Sequence, residues 1–257
     1  MISELHFYNP LIQQQNQKPQ LCFVGSVAMV LRRRGLPIPS FGLDDLAYKL
    51  GIFIDKKDKH MFGGELRKRA LDSEDPRVGF QISNIDDPKK REKLEQILGV
   101  TINLCRSSDI DGRDKVKSTA DFLISNIEQG NDVIVNYRHE PFNGRKDGHW
   151  VVLAAVEKRT GKDLLYVADP SPFTSDFWKE KLEKFIQGMS PKWDGQERGF
   201  LIFSGQTYGK KYDPVKIREF LRNVPRYRPS ITKTYTETPQ REPSKRSVYD
   251  GKHILPN

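Results

Sequence analysis

The sequence predicts an α+β domain, a mainly helical front lobe packed on an antiparallel β-sheet. Three observations point there: apolar residues recur at helical spacing through much of the first half, short strand-like apolar runs fill the second, and turn residues punctuate both. At 257 residues, 36% hydrophobic and 30% charged, the chain is long enough to bury a real core. One domain is expected over residues 1–224. Beyond it, residues 225–257 are rich in Pro, Thr, Ser and Arg with few large apolar side chains, and read as a tail that cannot order itself.

The stretch up to Pro19, rich in Gln and Asn, reads as an irregular leading loop. Residues 21–34 then make a helix of about four turns. Val24, Val27, Ala28, Val30 and Leu31 form its broad apolar face, and Gly35 supplies a left-handed stop. A second helix is expected over 43–50, ended by Gly51, followed by a charged loop over 55–64, a short helix over 65–71 and a strand over 78–82. Asp87-Pro88 opens a helix through Leu94, Ile97 and Leu98 that Gly99 closes. Residues 100–104 form a strand, and Ser118 or Thr119 caps a helix whose Phe122, Leu123, Ile127 stripe faces a core and which stops at Gly130.

Residues 132–137, 149–156, 164–168 and 200–203 read as strands, with Thr160-Gly161 turning the second into the third as a hairpin. Between the last two, residues 176–187 are expected to be helical, with Phe177, Trp178, Leu182, Phe185 and Ile186 on one face. A short helix over 214–221 would close the domain.

Several function classes are disfavoured at once. No apolar run approaches a bilayer span, and Met1-Ile2-Ser3-Glu4-Leu5-His6 lacks the basic-then-apolar order of a secretory signal. Synthesis in a cytoplasm is expected, with any export by a route that needs no signal peptide. Cys22 and Cys105 are the only two cysteines, which excludes a disulfide framework and favours reduced thiols. There is no C-x-x-C, no H-E-x-x-H and no glycine-rich phosphate loop, so neither a metal nor a cofactor is expected. The net charge of +9 is not gathered on a nucleic-acid-binding motif. Arg32-Arg33-Arg34 and Lys89-Lys90-Arg91 read as solvated runs at helix ends or exposed faces, and the charge would instead steer an acidic protein partner or contribute to weak polyanion binding.

The chemistry gathers on few residues. A thiol attacks acyl carbon as a thiolate, and Cys22 begins a helix, where unpaired N–H groups and the macrodipole favour negative charge. Its own N–H is free there to donate into an oxyanion hole. A lone cysteine so placed is as readily a small core residue. Gly148-His149 at the mouth of a strand, after a glycine-containing loop, offers an imidazole on a fixed backbone. The neighbouring strand runs out at Asp169-Pro170, so the hairpin can bring Asp169 beside His149 to orient its tautomer and stabilise its cation. His139 is the rival base, without a preceding glycine or an acidic residue at a neighbouring strand end. Cys105 reads as an idle or packed thiol, and Trp150 as a shield for the base, a groove wall or core.

These pieces resemble the papain-like cysteine peptidases, nearest to the C39-like and C70-like branches. The resemblance lies in Pro10-Leu11-Ile12 followed by glutamines, Leu21-Cys22 with Ser26-Val27-Ala28-Met29 on the same helix, Gly148-His149-Trp150-Val151-Val152, and Val167-Ala168-Asp169-Pro170. It implies a papain-like fold and a Cys22, His149, Asp169 triad, with an upstream glutamine amide completing the oxyanion hole. Asn16 stands where the family has that glutamine, which leaves Gln17, then Gln15, for the role. Phe23 stands where relatives carry tryptophan or glycine.

The implied activity is cleavage of a protein or peptide substrate, with a cognate inhibitor or immunity protein as a further expected partner and a role as a bacterial effector or toxin by analogy. The same thioester chemistry serves deamidases, transglutaminases and acyltransferases, and a non-catalytic basic binding protein is the alternative from another class.

Overall fold

The computed structural model describes residues 22–36, 46–47, 50, 83–159, 162–171, 177–205 and 219–227. The elements expected over 55–64, 65–71 and 78–82 lie outside the described residues, as do Gln15, Gln17 and residues 228–257. Of the helices expected over 43–50 and 214–221, Leu46, Ala47, Leu50 and residues 219–221 are described, and all are helical.

Helix α1, Cys22–Arg33, is buried on every side from Phe23 to Leu31, as a helix hydrophobic all round must be. It ends as the sequence requires. Gly35 takes φ 71° and donates to the Arg32 carbonyl, while Leu36 N–H reaches the Leu31 carbonyl at 2.9 Å, which satisfies carbonyls the helix leaves open.

The basic run at the end of α1 is solvated only at Arg32. Arg34 is fully buried, its Nε donating to Asp132 Oδ2 at 2.6 Å and its other nitrogens to the Phe203, Gly205 and Gly130 carbonyls. Arg33 grips the same Asp132 carboxylate. The expectation of a surface run holds at Arg32 and fails at Arg33 and Arg34, because Asp132, distant in sequence, supplies a buried counter-charge.

Helices α2, Ser83–Asp86, and α3, Pro88–Leu98, follow. The Asp87 carboxylate caps α3 by accepting from Lys89 N–H at 3.0 Å, and Gly99 closes it at φ 67°. Strand β1 is Thr101–Arg106 and helix α4 is Lys115–Glu128. Here the cap is Asp114, which accepts from Lys117 N–H at 3.1 Å, rather than Ser118 or Thr119. Thr119 lies inside the helix and its hydroxyl donates back to the Lys115 carbonyl.

Strands β2, Asp132–Arg138, β3, Gly148–Glu157, and β4, Leu164–Ala168, carry the centre of the sheet, with the four-residue helix α5, Glu140–Asn143, between the first two. Strand β5 is Phe177–Lys181, helix α6 is Leu182–Met189 and strand β6 is Gly199–Ser204. The six strands run in the order β1-β6-β2-β3-β4-β5, each antiparallel to its neighbours.

The helix expected over 176–187 is thus corrected. Its residues Phe177–Lys181 form β5, paired to β4 through Val167 with Trp178 and Ala168 with Phe177. Phe177 and Trp178 go into the cores on opposite faces of the sheet, which successive residues do in a strand. Only from Leu182 does the chain turn helical.

The alternation divides the core. Trp150, Val152, Ala154, Leu201 and Phe203 pack with α1 on one face, while Tyr137, Val151, Leu153, Val167 and Trp178 pack with Leu123 and Ile127 of α4 and Phe185 of α6 on the other. After the last described helical turn, the chain comes back to the sheet: Lys179 N–H donates to the Pro225 carbonyl at 2.9 Å, and Tyr227 N–H to the Lys179 carbonyl at 3.1 Å. Residues 225–227, assigned to the tail by the sequence, lie against β5.

Candidate active site

In an antiparallel sheet the end of β2, the start of β3 and the end of β4 meet at one edge of the layer. His139, His149 and Asp169 follow or open those strands and therefore share that edge. The N-terminus of α1 is brought to the same place, because its other end is pinned to Asp132 at the far end of β2 and Ser26 Oγ donates to the Trp150 carbonyl at 3.2 Å.

His149 and Asp169 are both buried, and Nε2 of the ring lies 2.7 Å from Oδ1 of the carboxylate. Asp169 is held from two further directions: Ser171 N–H donates to Oδ1 at 2.8 Å, and Trp178 Nε1–H to Oδ2 at 2.7 Å. Burial alone would raise the Asp169 pKa, but the His149 charge and hydrogen bond, with these donors, hold it below the ordinary carboxylate range. Burial alone would push His149 down. The Asp169 charge and hydrogen bond, joined by a hydrogen bond and the charge of Cys22, overcome it and lift the imidazole to about 10. With Nε2 engaged by Asp169, Nδ1 is the ring nitrogen left for the half-buried Cys22 thiol.

Three sequence-selected residues, Cys22, His149 and Asp169, therefore come together. Cys105 is elsewhere, on the edge strand β1, where burial and then the Asp109 charge push its thiol up to about 11. Trp150 is buried and meets Phe23 edge-on at 5.0 Å, so both belong to the core beneath α1.

His139 lies beside the pair. Its ring stacks on His149 with centroids 5.1 Å apart and planes 26° from parallel. Burial, then the His149 charge, lowers its pKa to about 3, so His139 stays neutral while His149 carries the proton. Its loop is braced by Arg138, which bonds Glu140 at 2.6 Å and Asp194 at 2.6 Å. Trp178, Tyr227 and the stacking role of His139 were not found from the sequence. The local apolar pattern puts Trp178 on a helix face, and the ring contacts join segments too far apart for any local pattern to reveal.

Among the described residues no cluster of His, Cys, Asp and Glu could hold a metal ion, and no helix is long and apolar enough to cross a membrane.

The profile of the Peptidase_C39 like family matches residues 8–196. The chain belongs to that family. The matched span of this C39-like chain contains Cys22, His149 and Asp169. Membership agrees with the papain-like α+β fold expected from the sequence. Among solved structures, the C39-like chain is similar to a candidate C39-like peptidase from Bacillus anthracis, at 16% identity and a TM-score of 0.45, over 76% of this chain and 94% of that one. It is also similar to UfSP from C. elegans, at 13% identity and a TM-score of 0.34, over 81% of this chain and 35% of that one. No curated protein matches the C39-like chain.

Proposed function

We propose that this C39-like chain is a cysteine peptidase that cleaves peptide bonds in a protein substrate through Cys22, His149 and Asp169. The observation that carries the reading is the buried His149–Asp169 pair at 2.7 Å, with Cys22 at the start of α1 beside its imidazole. Such a pair favours the thiolate–imidazolium form of the site, because Asp169 stabilises the cation and the helix N-terminus stabilises the anion.

In the proposed mechanism the Cys22 sulfur attacks the scissile carbonyl carbon, forming a C–S bond and an oxyanion. The Cys22 N–H and an upstream amide, for which Gln17 is the candidate, would receive that oxyanion. As the intermediate collapses, the C–N bond breaks and His149 gives its proton to the leaving amine. Water then attacks the thioester while His149 takes a proton from it, releasing the acid and restoring the thiolate–imidazolium pair. Asp169 holds the ring and its charge throughout.

The test is to label new protein N-termini across a cell lysate treated with wild type or with Cys22→Ala. The expected result is a set of new termini made by wild type and absent with the variant. Amide-to-acid conversion or amine joining without new termini would replace the peptidase reading with a deamidase or transferase. No thiol-dependent change at all would leave a binding protein.

A further inference from the structure

Two rings that also touch each other pack against His149. His139 stacks on it at 5.1 Å and 26°, and Tyr137 meets it edge-on at 5.9 Å and 77° while lying 5.3 Å from the His139 ring. His139 is in turn backed by Tyr227, whose ring lies 6.2 Å away and 27° from parallel. A hydrogen-bond chain fixes the order of these rings: Asn143 Nδ2 donates to Tyr227 Oη at 2.9 Å, which leaves the Tyr227 hydroxyl to donate towards His139 Nδ1 at 3.5 Å. Tyr227 also packs on Trp178 at 4.8 Å, and Trp178 donates to Asp169. One side chain from the 225–227 segment therefore backs both the ring stacked on His149 and the indole bonded to Asp169.

We propose that His139 and Tyr227 are positioning residues for His149, clamping its imidazole in the plane that keeps Nε2 on Asp169 and turns Nδ1 to Cys22. This rests on the triad reading of the site. An imidazole held at one nitrogen by Asp169 can still rock about that bond, and a ring stacked against it opposes the motion. The titratable and charged groups around His139 are His149, Asp147, Asp169, Arg145 and Tyr227. Burial keeps His139 neutral among them, so it supplies a surface without competing for the proton. Misplacement of a reacting group by about an ångström can lower rates by about a hundredfold, so a clamp of this kind acts on rate rather than on substrate binding.

The test needs no substrate. Nitrogen-15 NMR of the imidazoles, five in this chain, gives the His149 titration midpoint, and iodoacetamide gives the Cys22 alkylation rate at about pH 6. His139→Ala and Tyr227→Ala should each lower the His149 midpoint by roughly one pH unit or more and slow Cys22 alkylation roughly tenfold, one pKa unit being a factor of ten. His139→Phe, which keeps a flat ring, should restore most of both. Circular dichroism checks folding, and Tyr227→Ala stands alone if His139→Ala does not fold. If His149→Ala changes Cys22 alkylation while His139→Ala and Tyr227→Ala leave both readouts at wild type, the clamp is refuted and the triad kept. The clamp is equally refuted if His139→Phe is as damaging as His139→Ala. If His149→Ala leaves Cys22 alkylation unchanged, the triad reading falls and the clamp with it.

Discussion

Arg34 and Asp132 are both fully buried and joined at 2.6 Å, which fixes the C-terminal end of the helix that begins with Cys22 to the first residue of β2. A buried pair of this kind is costly to break from one side, because the remaining charge has no water to replace its partner. Asp132→Asn is therefore expected to lower stability in urea unfolding by about 3–5 kcal/mol. Arg34→Met should cost less, since Arg33 still neutralises Asp132.

His139 and His149 should make stability fall on either side of about pH 6.5. His139 has a folded pKa lowered to about 3, so between pH 6.5 and 3 the unfolded chain binds a proton that the folded chain does not, and stability drops as pH falls. His149 is raised to about 10, so its contribution is complete below pH 6.5 and is lost as pH rises towards 10. Asp169, held low, adds a further loss at the acid end as its own folded pKa is crossed. Each histidine can contribute a slope of up to about 1.4 kcal/mol per pH unit. His139→Phe should flatten the acid limb and His149→Gln the alkaline limb, read from urea midpoints at a series of pH values.

Trp178 Nε1–H bonded to Asp169 Oδ2 makes a separable contribution to the site. Trp178→Phe leaves that buried oxygen without its donor, at a cost of about 1–3 kcal/mol in stability. It should also slow Cys22 alkylation in mild acid, by less than Asp169→Asn does. An effect larger than that of Asp169→Asn would mean that Trp178 acts through packing on Tyr227 and Phe185 instead.

Much of the site was legible in the sequence because its signals are local. A helix ended by Gly35, a strand opened by Gly148-His149 and a hairpin that returns at Asp169 are each fixed by residues a few positions apart. What was misread depends on distant partners. Arg34 reads as solvated from its neighbours in sequence, and Asp132 supplies its buried partner; Phe177 and Trp178 read as a helical face, and pairing with β4 makes them a strand. Asp114, Ser118 and Thr119 are all competent caps, and local preference does not choose among them.

Pro225 and Tyr227 exchange backbone hydrogen bonds with Lys179, so the last described segment supports β5. A chain ending after Val224 should be less stable than one ending after Tyr227 by about 1–3 kcal/mol, from two lost hydrogen bonds and the Tyr227 ring contacts. Thermal melts of the two truncations make the comparison, and equal melting would show that the segment adds nothing to the fold.

The most direct test of the Cys22–His149 pair is competitive labelling of the two cysteines by iodoacetamide at about pH 6, followed by peptide mass spectrometry. Cys105, with its thiol pushed up to about 11, should remain unlabelled in the folded protein. Cys22 should label first, its pH profile should move to that of a free thiol in His149→Ala, and it should move less in Asp169→Asn. Equal labelling of Cys22 and Cys105, or a Cys22 profile indifferent to His149, would contradict the catalytic pair.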